Sequence, residues 1–354
     1  MYVLRILQPQ FVNWRQYLNV YRVPIFVVLF ALLSQGDVSE REERIDAATL
    51  VDEVFSVGPV KSFMLRQGGE LLIEEYRKGM HAERFTNIKS ASKSILSLLI
   101  GIAIEQEHID GVKQTIGEFF PDYFKAHPDS VKQSITIQDL LTMRAGLAST
   151  SSPNYGPWVL SDNWVEFVLD QPLVERPGGA MIYSTGSTHL LSVILTRATG
   201  MSTREFAKKY LFDPLDITIG GWDRDPQGNF MGGNNIALSP SALLKIGTLV
   251  MNRGAYQQKQ IVSEKWISES MKIYTRSQFN PYDYGYLWWR QKLSGYSVLF
   301  AWGNGGQYIL MLPGLRTVVS ITSNSEGKSK NRLSRRRLFS FIENRLIRYL
   351  EQNG

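Results

Sequence analysis

The segment Ser90-Ala91-Ser92-Lys93 brings together two groups that could do chemistry. Ser90 and Lys93 are three residues apart, so in a helix both side chains lie on one face and the amine can take the hydroxyl proton. A serine hydroxyl is a weak nucleophile and needs such a base. The spacing therefore predicts a nucleophile and its base, with an N-cap role for Ser90 or Ser92 as the alternative. A second match, Ser325 to Lys328, lies in a polar, basic stretch and is interpreted as structural.

Two further segments could complete a site around this pair. Tyr183-Ser184-Thr185-Gly186 places a tyrosine at the end of a loop, just before a helix, from where a phenol can project into a cleft. A buried structural tyrosine is the alternative. Ala301-Trp302-Gly303-Asn304-Gly305-Gly306-Gln307 interrupts a strand pair with glycines, which leave backbone N–H groups accessible to a substrate carbonyl. A simple hairpin turn is the alternative there.

The elements around Ser90 favour the formation of an oxyanion. Residues 85–89 show no helical pattern, whereas Ile95 to Ile104 is apolar nearly all round, which is typical of a buried helix. Ser90 is thus expected at the N-terminus of that helix, where unpaired N–H groups and the helix dipole favour negative charge. Because burial lowers the pKa of a lysine, Lys93 is expected to be a usable base near neutral pH.

Strand patterns occur at both ends of the body and helical patterns between them. Two antiparallel strands are predicted within Val60 to Tyr76, around a turn at Gln67-Gly68-Gly69-Glu70. Further strands are predicted at 284–292, 296–302, 307–312 and 317–323, and helices at 136–144, 163–169, 187–198 and 240–252. We therefore predict an α/β (α+β) fold: a mixed, mainly antiparallel sheet flanked by helices, with an all-helical lobe of about residues 90–254 inserted between sheet segments 50–89 and 255–354. A site is expected in the cleft between lobe and sheet.

Composition narrows the function classes. The 354 residues are 44% hydrophobic and 20% charged, which is ordinary for a globular enzyme-sized chain. The absence of cysteine excludes disulfides, a thiol nucleophile and thiolate zinc sites. The net charge of +6 comes largely from the two ends and not from an internal stripe, so no nucleic-acid partner is predicted. The C-terminal pattern predicts an amphipathic helix packed on the body.

Residues 1–36 resemble an export signal. Arg5, Arg15 and Arg22 precede an apolar run from Val23 to Leu33, which is about half as long as a membrane-spanning helix. We predict export, with a signal peptide or an uncleaved inner-membrane anchor in residues 1–36, membrane association through that segment, and the folded domain in residues 37–354. A periplasmic or membrane-anchored location follows, with a cytoplasmic protein as the alternative.

In their order and spacing, the three segments resemble the serine β-lactamase and penicillin-binding-protein superfamily, particularly the class C β-lactamase-related branch with its esterases and 6-aminohexanoate-dimer hydrolases. Further similarities lie at 87–94, 136–147 and 238–245, so the resemblance covers roughly residues 46–323. It implies a β-lactamase/transpeptidase-like fold and a serine hydrolase in which Ser90 is acylated, Lys93 deprotonates it, and Tyr183 and Lys93 share the proton transfers. It also implies an oxyanion hole from the backbone N–H groups of Ser90 and Asn304, and no metal or organic cofactor.

The chain departs from the family pattern at two positions. The second motif usually has asparagine two residues after the tyrosine, where this chain has Thr185. The third usually begins with lysine or histidine, where this chain has Ala301. Without that cation, efficient penicillin hydrolysis and cleavage of D-Ala-D-Ala ends are not expected. Trp302 with Gly303 instead resembles the version found in some esterases, and a flat aromatic wall suits apolar acyl groups.

The expected substrate is therefore a small-molecule ester, amide or short peptide, with esters favoured over β-lactams. Arg144 and Arg176 could replace the missing cation, although solvated or backbone-bound arginines are the favoured interpretation. His189 is expected to point into helix packing, and no acid is identified that would complete a Ser-His-Asp triad. The alternatives are a D-Ala-D-Ala peptidase or weak β-lactamase, and a non-catalytic binding protein that keeps the fold.

Overall fold

A computed structural model of the chain describes residues 44–325 and 333–353. These residues belong to a single compact unit, Arg44–Gly354. The predicted export segment, residues 1–36, lies outside the described residues, as does part of the second Ser-x-x-Lys match. Within the described residues, no helix combines the length and the apolar character needed to span a bilayer.

The strands form one large sheet and two small pairs. They are β1 (Val60–Gln67), β2 (Glu70–Tyr76), β3 (Thr86–Asn87), β4 (Ala237–Leu238), β5 (Ala255–Tyr256), β6 (Lys259–Gln260), β7 (Thr275–Arg276), β8 (Asp283–Tyr284), β9 (Trp289–Leu293), β10 (Tyr296–Gly303), β11 (Gln307–Leu312) and β12 (Thr317–Ser323). The sheet has the order β2-β1-β12-β11-β10-β9-β8-β7, and its neighbouring strands are antiparallel. The strands predicted at the two ends of the body thus belong to one sheet, in which β1 pairs with β12.

Helices fill the region between the two groups of strands and close the chain. They are α1 (Ala47–Ser56), α2 (Ser92–Glu105), α3 (Ile116–Phe119), α4 (Pro121–Ala126), α5 (Ser130–Gln133), α6 (Ile137–Leu141), α7 (Tyr155–Val159), α8 (Trp164–Leu169), α9 (Thr185–Thr199), α10 (Thr203–Ala207), α11 (Pro240–Met251), α12 (Glu264–Ser270), α13 (Arg335–Phe341) and α14 (Ile347–Asn353). Short 3-10 turns cover Lys89–Ala91 and Pro313–Leu315, and π-helical turns cover Lys208–Phe212 and Ile342–Leu346.

The central strands β11 and β12 are buried at every position, because helices cover both faces of the sheet. On one face, Gly247 of α11 lies so close to the sheet that a Cβ there would overlap the Val318 side chain. On the other, Phe339 of α13 packs against Phe300 of β10, with ring centroids 5.2 Å apart. Continuous apolar runs, and not alternation, are the sequence pattern of such strands.

One predicted strand is interrupted. The pattern at 284–292 predicts a single strand, but β8 ends at Tyr284 and β9 begins at Trp289. Between them, the Tyr286 N–H donates to Ser270 O and the Leu287 N–H donates to Leu141 O, both on helices. Leu287 also adopts a positive φ of 62°. The apolar side chains are buried as predicted, but their backbone groups bond to helices instead of to a strand.

Helix α2 crosses the centre of the body, and its residues from Ser92 to Ala103 are buried. Gly101 lies beneath the indole of Trp266, whose Nε1–H donates to Ser97 O at 3.0 Å. A Cβ at Gly101 would overlap that ring.

We expect Gly101→Ala to destabilise the protein by about 1–3 kcal/mol through overpacking, although alanine is the better helix former. The matched control is Gly156→Ala in α7, where a Cβ would meet no atom within 4 Å and stability should be unchanged or slightly increased. Denaturant unfolding of both variants checks this, and equal effects at the two positions would contradict it.

Candidate active site

Ser90 lies in a strained turn. It follows β3 and occupies the 3-10 turn Lys89–Ala91 that leads into α2. Lys89 has a φ of +52°, a conformation that costs a non-glycine residue of order 1–3 kcal/mol. The Asn87 side chain holds it there, because Asn87 Oδ1 accepts the Lys89 N–H at 2.9 Å while Asn87 Nδ2 donates to Asn235 Oδ1 at 3.0 Å. The turn is thus fixed from both sides before Ser90 is reached.

The glycine-rich turn after β10 lies beside Ser90. Gly303 packs on the Ile88 carbonyl so closely that a Cβ would overlap its oxygen, so only glycine allows this approach. The first backbone bond of the Ser90 turn runs from the Ala91 N–H to Ile88 O at 3.2 Å. The Ser90 N–H precedes that bond, as expected for the first N–H groups of a helix. Asn304 follows Gly303 in the same turn.

The amine of Lys93 is buried and surrounded by uncharged oxygens. Its Nζ lies 3.3 Å from Ser90 Oγ, 3.2 Å from Thr185 Oγ1 and 2.7 Å from Gly233 O. Burial lowers the pKa of Lys93 from 10.5 to about 7. A substantial fraction of the amine is therefore neutral near pH 7.

The three contacts of Lys93 match the bonding capacity of a neutral amine. Such an amine has two N–H donors and one lone pair. The Gly233 carbonyl can only accept, and Thr185 Oγ1 can take the second N–H. The lone pair is then left for the Ser90 hydroxyl. This arrangement can remove the proton of Ser90 without first moving any other group.

Tyr183 lies close to both Ser90 and Lys93. Its phenol is hydrogen-bonded to Ser90, and its ring centroid is 5.1 Å from Lys93 Nζ. Burial raises the pKa of Tyr183 to about 12, partly offset by the bond to Ser90, so the phenol stays protonated near neutral pH. Its ring stacks on Trp289 at 5.9 Å and meets the edge of the exposed Phe279 ring at 5.9 Å. An aromatic wall thus leads from the surface to Tyr183.

Three consecutive hydroxyl residues, Ser149 to Ser151, bind the Tyr183–Gly186 segment. Ser149 Oγ donates to Tyr183 O at 2.7 Å, and Thr150 Oγ1 accepts the Gly186 N–H at 2.8 Å. Ser151 Oγ accepts the Thr185 N–H at 3.0 Å and also lies 3.0 Å from Thr185 Oγ1. The sequence analysis missed this role. The run of hydroxyls was visible, but nothing local points to a partner 34 residues away.

Ser151 and Thr185 together occupy the region where the family pattern has an amide side chain. Thr185 Oγ1 contacts Lys93 Nζ and Ser151 Oγ, so two hydroxyls continue the hydrogen-bond network from the amine. At this departure from the family pattern, the Thr185 hydroxyl lies within hydrogen-bond distance of the lysine amine.

A glycine pair, Gly232-Gly233, presents the carbonyl that binds Lys93. A Cβ at Gly233 would lie 2.7 Å from Lys93 Cγ, and its φ of +85° is unfavourable for other residues. The Gly232 N–H lies 3.4 Å from His189 Nδ1, and His189 Nε2 lies 3.0 Å from Asp225 Oδ2. The sequence analysis found no signal in this loop, although two adjacent glycines indicate close backbone packing.

His189 points into the helix packing as expected, but it does have an acidic partner. Asp225 is buried, and although burial raises its pKa, the bonds from His189 and Asn229 outweigh this and leave the pKa lowered. Both ring nitrogens of His189 have partners, Asp225 and the Gly232 N–H. The pair thus supports the glycine loop, and neither nitrogen faces a serine as it would in a triad.

The residues considered as replacement cations do not join the site contacts. Arg144 Nε donates to Gly179 O at 2.7 Å, and Arg176 is exposed. Ala301 is fully buried in β10, opposite Ile309 of β11. The next residue, Trp302, is half-buried, and the guanidinium of Arg335 lies 4.9 Å from its ring centroid.

Comparison with known proteins identifies the family of the chain. Residues 59–340 match the family model described as Beta-lactamase. The chain belongs to the beta-lactamase family. A curated relative, the 6-aminohexanoate-dimer hydrolase of Paenarthrobacter ureafaciens, is 24% identical over 224 residues, which are 58% of this chain and 55% of that protein. The chain thus matches about half the length of this relative.

Solved structures share the fold of this family. The octameric penicillin-binding protein homologue from Pyrococcus abyssi has a TM-score of 0.67 at 19% identity, over 86% of this chain and 77% of the other. EstCE1, a hydrolase with promiscuous acyltransferase activity, has a TM-score of 0.67 at 17% identity, over 83% and 98%. The predicted superfamily and the predicted fold class are both confirmed.

The depressed pKa of Lys93 has a consequence for stability in this beta-lactamase family member. Between pH 7 and 10.5 the unfolded chain binds the Lys93 proton more tightly than the folded chain, so stability rises with pH through that window. Lys93→Met removes the penalty. The variant should gain stability relative to the wild type at pH 7, by on the order of a few kcal/mol, and the difference should shrink toward pH 10. Denaturant unfolding across this range measures it, and a pH-independent difference would contradict the assignment.

Proposed function

We propose that this chain is a serine hydrolase that cleaves an ester or amide bond through an acyl-enzyme on Ser90, with esters favoured over β-lactams. The observation that carries the proposal is the 3.3 Å contact of Lys93 Nζ with Ser90 Oγ, made by a buried amine with a pKa of about 7. The family and the names of the similar proteins, a dimer hydrolase and a hydrolase with acyltransferase activity, support hydrolase chemistry in general.

In the acylation step, Ser90 Oγ attacks the substrate carbonyl carbon while its proton passes to the lone pair of Lys93 Nζ. The resulting oxyanion accepts hydrogen bonds from the backbone N–H groups of Ser90 and Asn304. Collapse of the intermediate breaks the bond to the leaving group, which takes a proton from the Tyr183 phenol, and Lys93 returns a proton to Tyr183. Lys93 and Tyr183 act as one coupled unit, so the titration belongs to the pair.

In the second step, water attacks the acyl carbon on Ser90. Its proton passes to the neutral amine of Lys93 as the tetrahedral intermediate forms, and Ser90 Oγ regains a proton when the acyl bond breaks. No charge needs to leave the site in the cycle. A cycle without net loss of charge suits the surroundings of the Lys93 amine, which is buried and contacts uncharged groups.

Two features support esters as substrates over β-lactams. The position that carries a cation in the family pattern is Ala301, a buried methyl group with no access to a substrate carboxylate. The exposed Phe279 and the half-buried Trp302 both contact the buried Trp289, which stacks on Tyr183, and such aromatic surface favours apolar chains. A peptidase or weak β-lactamase remains the alternative within the same mechanism.

We expect a fluorophosphonate to add one phosphonyl group to the protein, and Ser90→Ala to abolish both the adduct and the hydrolysis of p-nitrophenyl esters, by roughly three orders of magnitude or more. Intact-mass spectrometry of the purified domain checks this, with Ser92→Ala as the matched control that keeps the adduct. Exposure to a penicillin in parallel distinguishes the alternative, because stable acylation by it would favour the peptidase. A folded sample that reacts with no probe and cleaves no ester would instead favour a binding protein.

Thr185 is expected to hold Lys93 in position. Thr185→Val keeps the shape but removes the hydroxyl that accepts from Lys93, and should lower kcat/KM for a p-nitrophenyl ester by about two- to tenfold, the effect of one neutral hydrogen bond. Thr185→Ser restores the hydroxyl and should recover most of the activity. Steady-state kinetics of the two variants decides, and equal activity in both would exclude a role for this hydroxyl.

A further inference from the structure

The hairpin of β7 and β8 carries a loop, residues 277–282, that is fixed at both ends. The Ser277 N–H donates to Tyr282 O at 3.0 Å, and the Tyr282 N–H donates to Asn280 Oδ1 at 2.9 Å. The Tyr282 ring is buried and packs edge-to-face with Phe300 of β10, with ring centroids 5.2 Å apart. The position of the loop on the body is therefore set by these bonds and by one buried ring.

Within this loop, Phe279 lies beside the candidate active site. Its ring packs edge-to-face with Tyr183 at 5.9 Å and with Trp289 at 6.0 Å. Phe279 is nevertheless 55% exposed. Apolar surface that is left in water gains free energy when a ligand covers it, and an aromatic ring offers a large area for this. Phe279 thus presents surface that a bound substrate can cover.

The side chains around the Tyr183 ring differ in exposure. Among the described residues, Lys93 and Trp289 both contact this ring, and both are buried. Phe279 also contacts the ring, but it is exposed. Of these three neighbours of Tyr183, Phe279 is therefore the one that a substrate can reach from solvent.

The proposed function decides which part of the substrate comes close to Tyr183. In the acylation step, Tyr183 gives its proton to the leaving oxygen or nitrogen, so that atom must come within about 3 Å of the phenol oxygen. The substituent on the leaving atom starts at that point, whereas the acyl chain starts at the carbon bonded to Ser90. The leaving group is thus the part of the substrate that starts at Tyr183, the residue that Phe279 contacts.

We propose, resting on the proposed function, that Phe279 is a specificity-determining residue that packs against the leaving group. The preferred substrates are then esters of alcohols that carry an aromatic ring close to the scissile oxygen, or amides of the corresponding amines. The ring of such a leaving group packs on Phe279 and covers surface that is otherwise in water.

The test varies the alcohol part and the acyl part of an ester separately. Benzyl butyrate and methyl butyrate share the acyl part, whereas methyl phenylacetate places the ring on the acyl side. In the wild type, kcat/KM from pH-stat titration should favour benzyl over methyl butyrate by about tenfold or more. In Phe279→Ala this preference should fall by about five- to tenfold, while the ratio of kcat/KM for methyl phenylacetate to that for methyl butyrate stays as in the wild type. Phe279→Tyr keeps a ring and should keep the preference.

The matched control is Ile273→Ala, because Ile273 is an apolar residue of similar exposure, 53%, that lies two residues before β7. This variant should keep both ratios. Phosphonylation of Ser90 by a fluorophosphonate reports folding in each variant, since the fluoride that leaves in this reaction carries no ring.

A benzyl preference that survives in Phe279→Ala, or a loss that appears equally in the acyl comparison, would overturn the inference and leave the hydrolase intact. The same holds if a wild type that is phosphonylated on Ser90 shows no benzyl preference or cleaves none of the three esters. A wild type that neither takes the phosphonyl group nor cleaves any ester would remove the proposed function itself, and the inference with it.

Discussion

The burial of one lysine amine among uncharged oxygens is the constraint on which the site depends. If a carboxylate faced Lys93, the pair would be a buried ion pair, the amine would stay protonated and it could not accept a proton from Ser90. The structure instead offers a carbonyl and two hydroxyls, which satisfy the amine without holding its charge. The low pKa of Lys93 therefore follows from its burial, which no carboxylate among its described hydrogen-bond partners offsets.

This constraint explains why distant parts of the chain must meet. The three oxygens come from the start of α2, the start of α9 and the loop before β4, so the amine has its partners only when the helical region is assembled. Two of these partners lie beside a close backbone approach: Gly303 on Ile88 next to Ser90, and Gly232 on the Thr188 carbonyl next to Gly233. Glycines at these positions cost conformational entropy on folding, and the contacts they permit set the geometry of the site.

Local signals in the sequence predicted much of this arrangement. The apolar run after Lys93 predicts the buried helix, the spacing of Ser90 and Lys93 predicts their contact, and the strand patterns at 307–312 and 317–323 predict the central strands. What the sequence could not predict were partnerships across long separations, such as Ser151 with Thr185 or His189 with Asp225, because a hydroxyl or a carboxylate carries no mark of its partner. The prediction of one continuous strand at 284–292 was wrong for the same reason. The backbone partners of Tyr286 and Leu287 lie on helices that are remote in the sequence.

The two departures from the family pattern have different physical consequences. At Thr185 a hydrogen-bonding group is retained, because its hydroxyl contacts the lysine amine and Ser151 Oγ. At Ala301 nothing equivalent is retained, since a buried methyl group cannot bind an anion. The hydrogen-bond network around the lysine therefore continues through hydroxyls, while the position of the family's cation is occupied by a buried methyl group.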